Sequence, residues 1–351
     1  MKFGLLYIPD YHPETYGDFS TFYEQMIEQI VVAEALGFDS VWCAEHRIPR
    51  FAFGNPAVFL AAVARSTSRI RLGTAVSLLL LHNPIRLVED YNKFDVLSAG
   101  RLDIGVGRGL YKYDYDLSGV DMGQSRERFD ECLEVIVKAW QQEVFSHHGK
   151  YFQYDHHAVT PRPVQQPHPP IYVACVMTPE SYTWAGQNGH HLLTAPFFFS
   201  HFEDQQERLA LYTEALQQAG IDPQERDIVG AYHLYCGDNA DQVRAVAEPA
   251  LRAYQSFTKG ADLLRSAERD PVQYKAWQGF FENRATITFE QMRATRAVMG
   301  TADECVERLA QLREQYGLNT FIFEVNYGAL PHAEVLRSLR RFAKEVMPQF
   351  R

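Results

Sequence analysis

The β-rich run DSVWCAE ends in Glu45, and His46 and Arg47 follow it directly. An imidazole titrates close to neutral pH, so His46 can serve as general base or proton shuttle, and the Glu45 carboxylate can hold a hydroxyl or a ring nitrogen. The plain alternative is a surface histidine beside a helix-capping acid. A second group stands at Gly105-Val106-Gly107-Arg108-Gly109, where glycines at the end of the run LDIGVG let backbone approach a flat or anionic ligand. The planar fork of Arg108 matches phosphate oxygens; the competing reading is a structural ion pair with Asp103 or Asp114. The third glycine comes too early for G-x-G-x-x-G, and Tyr111-Lys112-Tyr113-Asp114 does not read as a helix start, so a dinucleotide fingerprint is set aside. Thr178-Pro179-Glu180-Ser181 begins a helix whose free N–H groups and dipole favour an anion, although the same residues are the ordinary makeup of a helix N-terminus. The pairs His147-His148, His156-His157 and His190-His191 suggest a metal at first sight. The first two lack clear carboxylate partners, and the residues of the third would point to opposite faces of a strand, so solvated loop histidines are expected.

The elements that must position these residues alternate regularly. Short apolar runs, KFGLLYI, DSVWCAE, IRLGTAV, LDIGVG, IYVAC, HHLLT, DIVGAYHLYC and TFIFEV, read as strands, and each is followed by a segment of helical periodicity. Asn55-Pro56 and Asn83-Pro84 place a capping side chain ahead of a first-turn proline, and Gly37, Gly100 and Gly220 follow helix ends. Eight such units favour closure into a (β/α)8 barrel over an open doubly wound sheet. The barrel is expected to be one domain over 1–351, with excursions after strand 4 (145–170) and strand 7 (258–300). The first excursion, around Tyr151-Phe152-Gln153-Tyr154, suits a small hairpin; the second is a candidate lid, with an extra helix at 302–316 after it.

Composition narrows the function classes. The 351 residues are 46% hydrophobic and carry a net charge of −10 with no basic run, which fits a globular chain and not a nucleic-acid binder. Pro9, Asp10 and Glu14 interrupt the start before a signal-peptide core could form, and the longest apolar run is too short to span a bilayer, so a cytoplasmic location is expected. The five cysteines are far apart, with no C-x-x-C, and read as reduced packing residues.

Several blocks together resemble the luciferase-like monooxygenases, and bacterial luciferase, especially its catalytic alpha subunit, in particular. They are Gly37-Phe38-Asp39 leading to Glu45-His46, Gly73-Thr74-Ala75-Val76, His82-Asn83-Pro84, Leu97-Ser98-Ala99-Gly100-Arg101, Arg108-Gly109-Leu110-Tyr111, Gly119-Val120-Asp121-Met122 with Ser125-Arg126, Glu180-Ser181, Gly300-Thr301 with Glu304-Cys305, and Val346-Met347-Pro348. The resemblance implies a barrel in which FMN, arriving reduced from a separate reductase, lies over strand-end residues that include Glu45, Ala75, Val76, Gly107 and Leu110. It places the flavin phosphate at the Arg108 loop and the Glu180-Ser181 turn, a cis peptide at Ala75-Val76, His46 as the catalytic histidine and Asp114 as an acid near the flavin. Dioxygen would react at the flavin to give a peroxyflavin that oxidises a small organic substrate such as an aldehyde, and the protein would be a dimer, for which the apolar second and third helices could supply an interface. The chain departs from luciferase at Arg47, where a second histidine is usual, at Gly107, where a bulkier residue is usual, in a longer turn 174–179, and at Trp184, where a small hydroxyl residue is usual. These departures bear on light emission and long-chain aldehydes. The alternatives are a flavin or deazaflavin dehydrogenase of the same superfamily, separated by oxygen consumption, and a non-catalytic flavin-binding subunit.

Overall fold

The computed structural model describes residues 1–48, 51–196, 202–262 and 287–351. Eight parallel strands close into a barrel: β1 (Lys2–Tyr7), β2 (Ser40–Cys43), β3 (Arg71–Thr74), β5 (Leu102–Gly107), β8 (Ile171–Ala174), β9 (His191–Thr194), β10 (Ile228–Cys236) and β12 (Thr320–Glu324). Closure is made by β12 pairing with both β10 and β1, in the registers Val229↔Thr320 and Lys2↔Thr320. A parallel strand in such a barrel is buried on both faces, which is why these segments read as nearly continuous apolar runs rather than alternating ones. One face fills the lumen with Leu6, Trp42, Tyr172, Leu193, Val229 and Ile322. The other packs against helices α2 (Phe19–Leu36), α3 (Pro56–Ser66), α4 (Pro84–Leu97), α6 (Ser125–Gln141), α7 (Pro179–Gln187) and α8 (Phe202–Gln218).

The helix boundaries follow local chemistry. Asn55 Oδ1 accepts from the Ala57 N–H and Asn83 Oδ1 from the Ile85 N–H, each ahead of a proline at the first helical position. Gly37 ends α2 in the left-handed conformation at φ +94°, which costs a glycine little. Gly105 answers a different demand, since a Cβ there would lie 1.9 Å from the Thr74 carbonyl oxygen on the adjacent strand. A Gly105→Ala variant should therefore lose about 1–3 kcal/mol or more of stability, read as a fall in the urea midpoint at unchanged slope.

The first excursion is an antiparallel hairpin of β6 (Phe145–His148) and β7 (Gln153–His157), with Tyr151 and Phe152 in its turn. Two of its four histidines do have acidic neighbours, against the reading from spacing: His147 Nε2 lies 3.2 Å from Glu131 and His148 Nε2 lies 3.2 Å from Asp155. Glu131 stands on α6, which only the fold brings alongside. His190 and His191 do part, the first against Trp184 and the second stacked on Tyr172 in the lumen. The second excursion contains elements that its sequence does not announce. A short helix α10 (Phe289–Arg296) leads into β11 (Ala297–Gly300), which pairs with the C-terminal half of β10, while the core of the expected lid, 263–286, lies outside the described residues. The helix α11 (Ala302–Tyr316) follows as expected, with Thr301 and Glu304 forming a reciprocal capping box. The last helix is α12 (His332–Arg341). The chain finishes in a wider turn (Phe342–Val346) and then a tighter one (Met347–Phe350).

Candidate functional site

The C-terminal ends of the barrel strands bring the candidate residues to one mouth. Beyond Tyr172, Leu193 and Val229, its lumen side is lined by Ile8, Ala75, Val76 and Ala195, with Gly107 and Ala174 between them. A Cβ at Gly107 would come 2.5 Å from Val76 Cγ2 and 3.6 Å from Ala174 Cβ, so the glycine keeps a shallow floor open between three strands. The peptide Ala75-Val76 is cis, as the resemblance implies. Such a floor of small side chains suits a flat ring lying across strand ends.

Arg108 follows this floor. It forms neither ion pair that its sequence offered: Asp103 is engaged by Arg71 at 2.8 Å, and Asp114 accepts from the Arg47 backbone N–H at 3.1 Å. Its Nη1 is buried with no hydrogen-bond partner among the described residues. Burial, and then the neighbouring Arg126, hold its pKa below the usual arginine value. Two guanidinium groups brought together, one of them enclosed and incompletely paired, form a site that is costly without an anion and favourable with one. Arg126 is the residue that sequence reasoning missed as a site candidate. It lies in the first turn of α6, and its closeness to Arg108 depends on how that helix packs. On the other flank, Cys175 Sγ contacts the Ser181 carbonyl, and the Thr178 side chain does not cap α7, whose first turn carries Glu180 and Ser181. Trp184, in the next turn, offers no hydroxyl and packs on Phe129 and His190.

Glu45, His46, Arg47 and Asp114 meet on the neighbouring side. Glu45 is a fixed structural group: its buried Oε2 accepts from the Leu78 N–H at 2.9 Å, and its Oε1 contacts His82 and lies 3.5 Å from Arg47 Nη2. Arg47 extends the network to Ser118 Oγ at 2.9 Å. His46 stands apart from it. The His46 backbone N–H donates to the Phe53 carbonyl at 2.8 Å, and the ring sits between Phe51 and Tyr111, at 5.0 and 5.2 Å between centroids. Its Nδ1 is enclosed with no hydrogen-bond partner among the described residues, and burial pushes its pKa down to about 4 against a smaller pull from Glu45. The ring is thus neutral across the physiological range. Asp114 stands in the short helix α5 (Lys112–Ser118), a correction to the reading that this segment does not begin a helix. Tyr111 leads into it with no side-chain cap, so the start carries no capping signature in the sequence. The Asp114 side chain is buried, its Oδ2 is unpartnered among the described residues, and burial with the Arg47 contact opposing it brings its pKa up to about 6. Leu110, Tyr111 and Ile48 pack together over this side of the mouth.

This arrangement holds a neutral imidazole and a carboxyl that titrates near neutrality within walls of aromatic carbon, beside an anion cradle and a flat floor. It can bind a planar phosphorylated cofactor and manage protons next to it. No group of three or more metal-ligating side chains comes together among the described residues.

The chain matches a family model described as luciferase-like monooxygenase over residues 1–320. It is 30% identical to the oxygenase component of a flavin-dependent trigonelline monooxygenase from Acinetobacter baylyi, over 100% of this chain and 96% of that one. Its structure superposes on a monooxygenase from Streptomyces bottropensis with a TM-score of 0.85, 29% identity and full coverage of both chains. It also superposes on the oxygenating constituent of 3,6-diketocamphane monooxygenase from Pseudomonas putida, in complex with FMN, with a TM-score of 0.83, 21% identity and coverage of 99% and 98%, a likeness of fold.

Proposed function

This chain belongs to the luciferase-like monooxygenase family, and we propose on that footing that it is the oxygenase of a two-component flavin monooxygenase. It takes reduced FMN from a separate reductase and, with dioxygen, oxidises a small organic molecule bound in the same barrel mouth. The observation that carries this reading is Arg108, whose buried Nη1 has no hydrogen-bond partner among the described residues, beside Arg126 at the edge of a glycine floor, a cradle with a charge left over for a phosphate. When bound, FMN supplies the electrons that activate dioxygen.

The residues then divide the work. Arg108 and Arg126 would hold the phosphate with the first turn of α7 at Glu180-Ser181, while Ala75, Val76, Gly107 and Leu110 would line the place of the ring. Glu45 ties β2 to Leu78 and His82 and so fixes the strand end from which His46 projects. His46 presents a neutral Nδ1 that can take up a proton at the reacting edge, and Phe51, Tyr111 and Ile48 keep water from it. Asp114, protonated below about pH 6, can return one.

The pH dependence of the Asp114→Asn variant tests that role. Turnover of the parent should show an ionisation near pH 6 that the variant lacks. Stability gives an independent reading. The folded chain holds the Asp114 proton more tightly than the unfolded chain does, so this group's contribution is complete below its ordinary pKa of 3.8 and is lost as pH rises through about 6. The difference in melting temperature between parent and variant should therefore move in the variant's favour across that window; a constant difference would remove Asp114 from the account.

An aldehyde, as in the luciferases, is one candidate substrate, and trigonelline, after the Acinetobacter relative, is another. Arg47 and Gly107 stand where the luciferases differ, which weighs against a long-chain aldehyde. Oxygen uptake with photoreduced FMN and either compound decides between them, and flavin turnover without oxygen uptake would point to a dehydrogenase. No helix among the described residues is long and apolar enough to cross a membrane, and a cytoplasmic enzyme folded as one domain fits this chemistry. A dimer through α3 and α4 accounts for Val58, Val96 and Leu97, which are 71%, 45% and 51% exposed.

A further inference from the structure

On the same sheet, β10 and the end of β12 carry a second polar group that the mechanism does not use. His233 and Glu324 are register partners on these strands, and His233 Nδ1 lies 3.0 Å from Glu324 Oε2. The His233 ring lies edge-on to Tyr254 at 5.3 Å and tilted to Tyr327 at 5.0 Å. Two residues beyond Glu324 comes Asn326. Ile322 faces the lumen, whereas Phe321 and Phe323 pack into the outer layer, so strand alternation turns Glu324 toward the lumen, and Asn326 stands in the bend just beyond the strand end. Asn326 is 1% exposed, and both its Oδ1 and its Nδ2 lack a hydrogen-bond partner among the described residues.

A buried carboxamide with neither end satisfied is unusual, since such groups are nearly always paired. The loop that carries it is tightly held. The Gly328 N–H donates to both Asp10 oxygens at 2.9 and 3.1 Å, and the Leu330 carbonyl accepts from the buried Tyr16 hydroxyl at 3.3 Å. A Cβ at Gly328, where φ is +57°, would overlap the Ala250 carbonyl, so the backbone is held closely on both sides. The loop therefore presents Asn326 on a rigid support, as a recognition group requires.

We propose that Asn326, flanked by the Glu324–His233 pair, is the substrate-recognition site, and that it selects a planar nitrogen-containing head group with an N–H and a carbonyl side by side, as in an amide, a lactam or an oxygenated N-heterocycle. The amide N–H of such a head donates to Asn326 Oδ1 while its carbonyl accepts from Nδ2, a pairing that an alkyl aldehyde, with no donor, cannot complete. The proposal rests on the monooxygenase reading for its function, but not for its binding.

The probes are 2-pyridone, its N-methyl derivative, which keeps the ring and carbonyl but lacks the donor, and octanal. Each is titrated calorimetrically into the full chain, with and without FMN. The parent should bind 2-pyridone at least about tenfold more tightly than N-methyl-2-pyridone, and octanal no better than the latter. Asn326→Leu should abolish that preference, and Asn326→Asp, which keeps shape but loses the donor, should reduce it. Flavin fluorescence quenching by both variants should match the parent, which shows that they are folded. Absence of a preference in the parent, its survival in Asn326→Leu, or tighter binding of octanal would each overturn the proposal. Failure of FMN to bind the parent would instead remove the flavin reading and leave the pyridone comparison standing.

Discussion

An Arg108→Ala variant will bind FMN about a hundredfold more weakly than the parent while its affinity for riboflavin changes by roughly threefold or less. The asymmetry follows from what the side chain faces. Its Nη1 has no protein partner among the described residues, and its charged neighbour Arg126 repels it, so a phosphate is the group that would gain most from it. Riboflavin shares the ring and ribityl chain but has no phosphate. The same reasoning gives the sign of a stability effect. Removing a buried cation that is desolvated and repelled should leave the melting temperature of the flavin-free protein unchanged or raised, whereas loss of a structural ion pair would lower it by several degrees. Fluorescence titrations with both flavins, beside a thermal melt, separate the cases. Equal weakening for FMN and riboflavin, or a marked fall in melting temperature, would return Arg108 to a structural role.

His46→Ala should lower turnover by about two to four orders of magnitude while FMN affinity stays within roughly threefold of the parent. His46 is held by its backbone contact to Phe53 and by Phe51 and Tyr111 about the ring, and its enclosed Nδ1 engages no protein group among the described residues. A side chain so placed contributes little to flavin binding through charge, because burial keeps it neutral down to about pH 4. What alanine removes is the place where a proton can rest beside the reaction. Oxygen uptake and product formation measured together sharpen the test. Product should fall more than uptake, since oxygen consumed without proton control escapes as hydrogen peroxide. Turnover unchanged in the variant would remove His46 from the mechanism.

Much of this protein is written locally in its chain. The eight strands are legible because a parallel strand buried on both faces must be apolar throughout, and the helix starts at Asn55 and Asn83 because an amide before a proline satisfies the first free N–H groups. Gly107 and Arg108 stand out at a strand end for the same kind of reason, as residues whose type makes sense only where backbone or charge meets a ligand. The closed sheet decided the rest, since a residue's partners depend on elements far along the chain. Closure brings His233 opposite Glu324, 91 positions later, and leaves Asn326 enclosed beyond it. Packing of α6 sets Arg126 beside Arg108, and the turn of α5 buries Asp114 under the Arg47 amide, which raises a carboxyl that nothing in its own segment would perturb. Charge, burial and the absence of a partner are properties of the assembled mouth, because the dielectric and the neighbours that fix them exist only once strands from both ends of the chain have met.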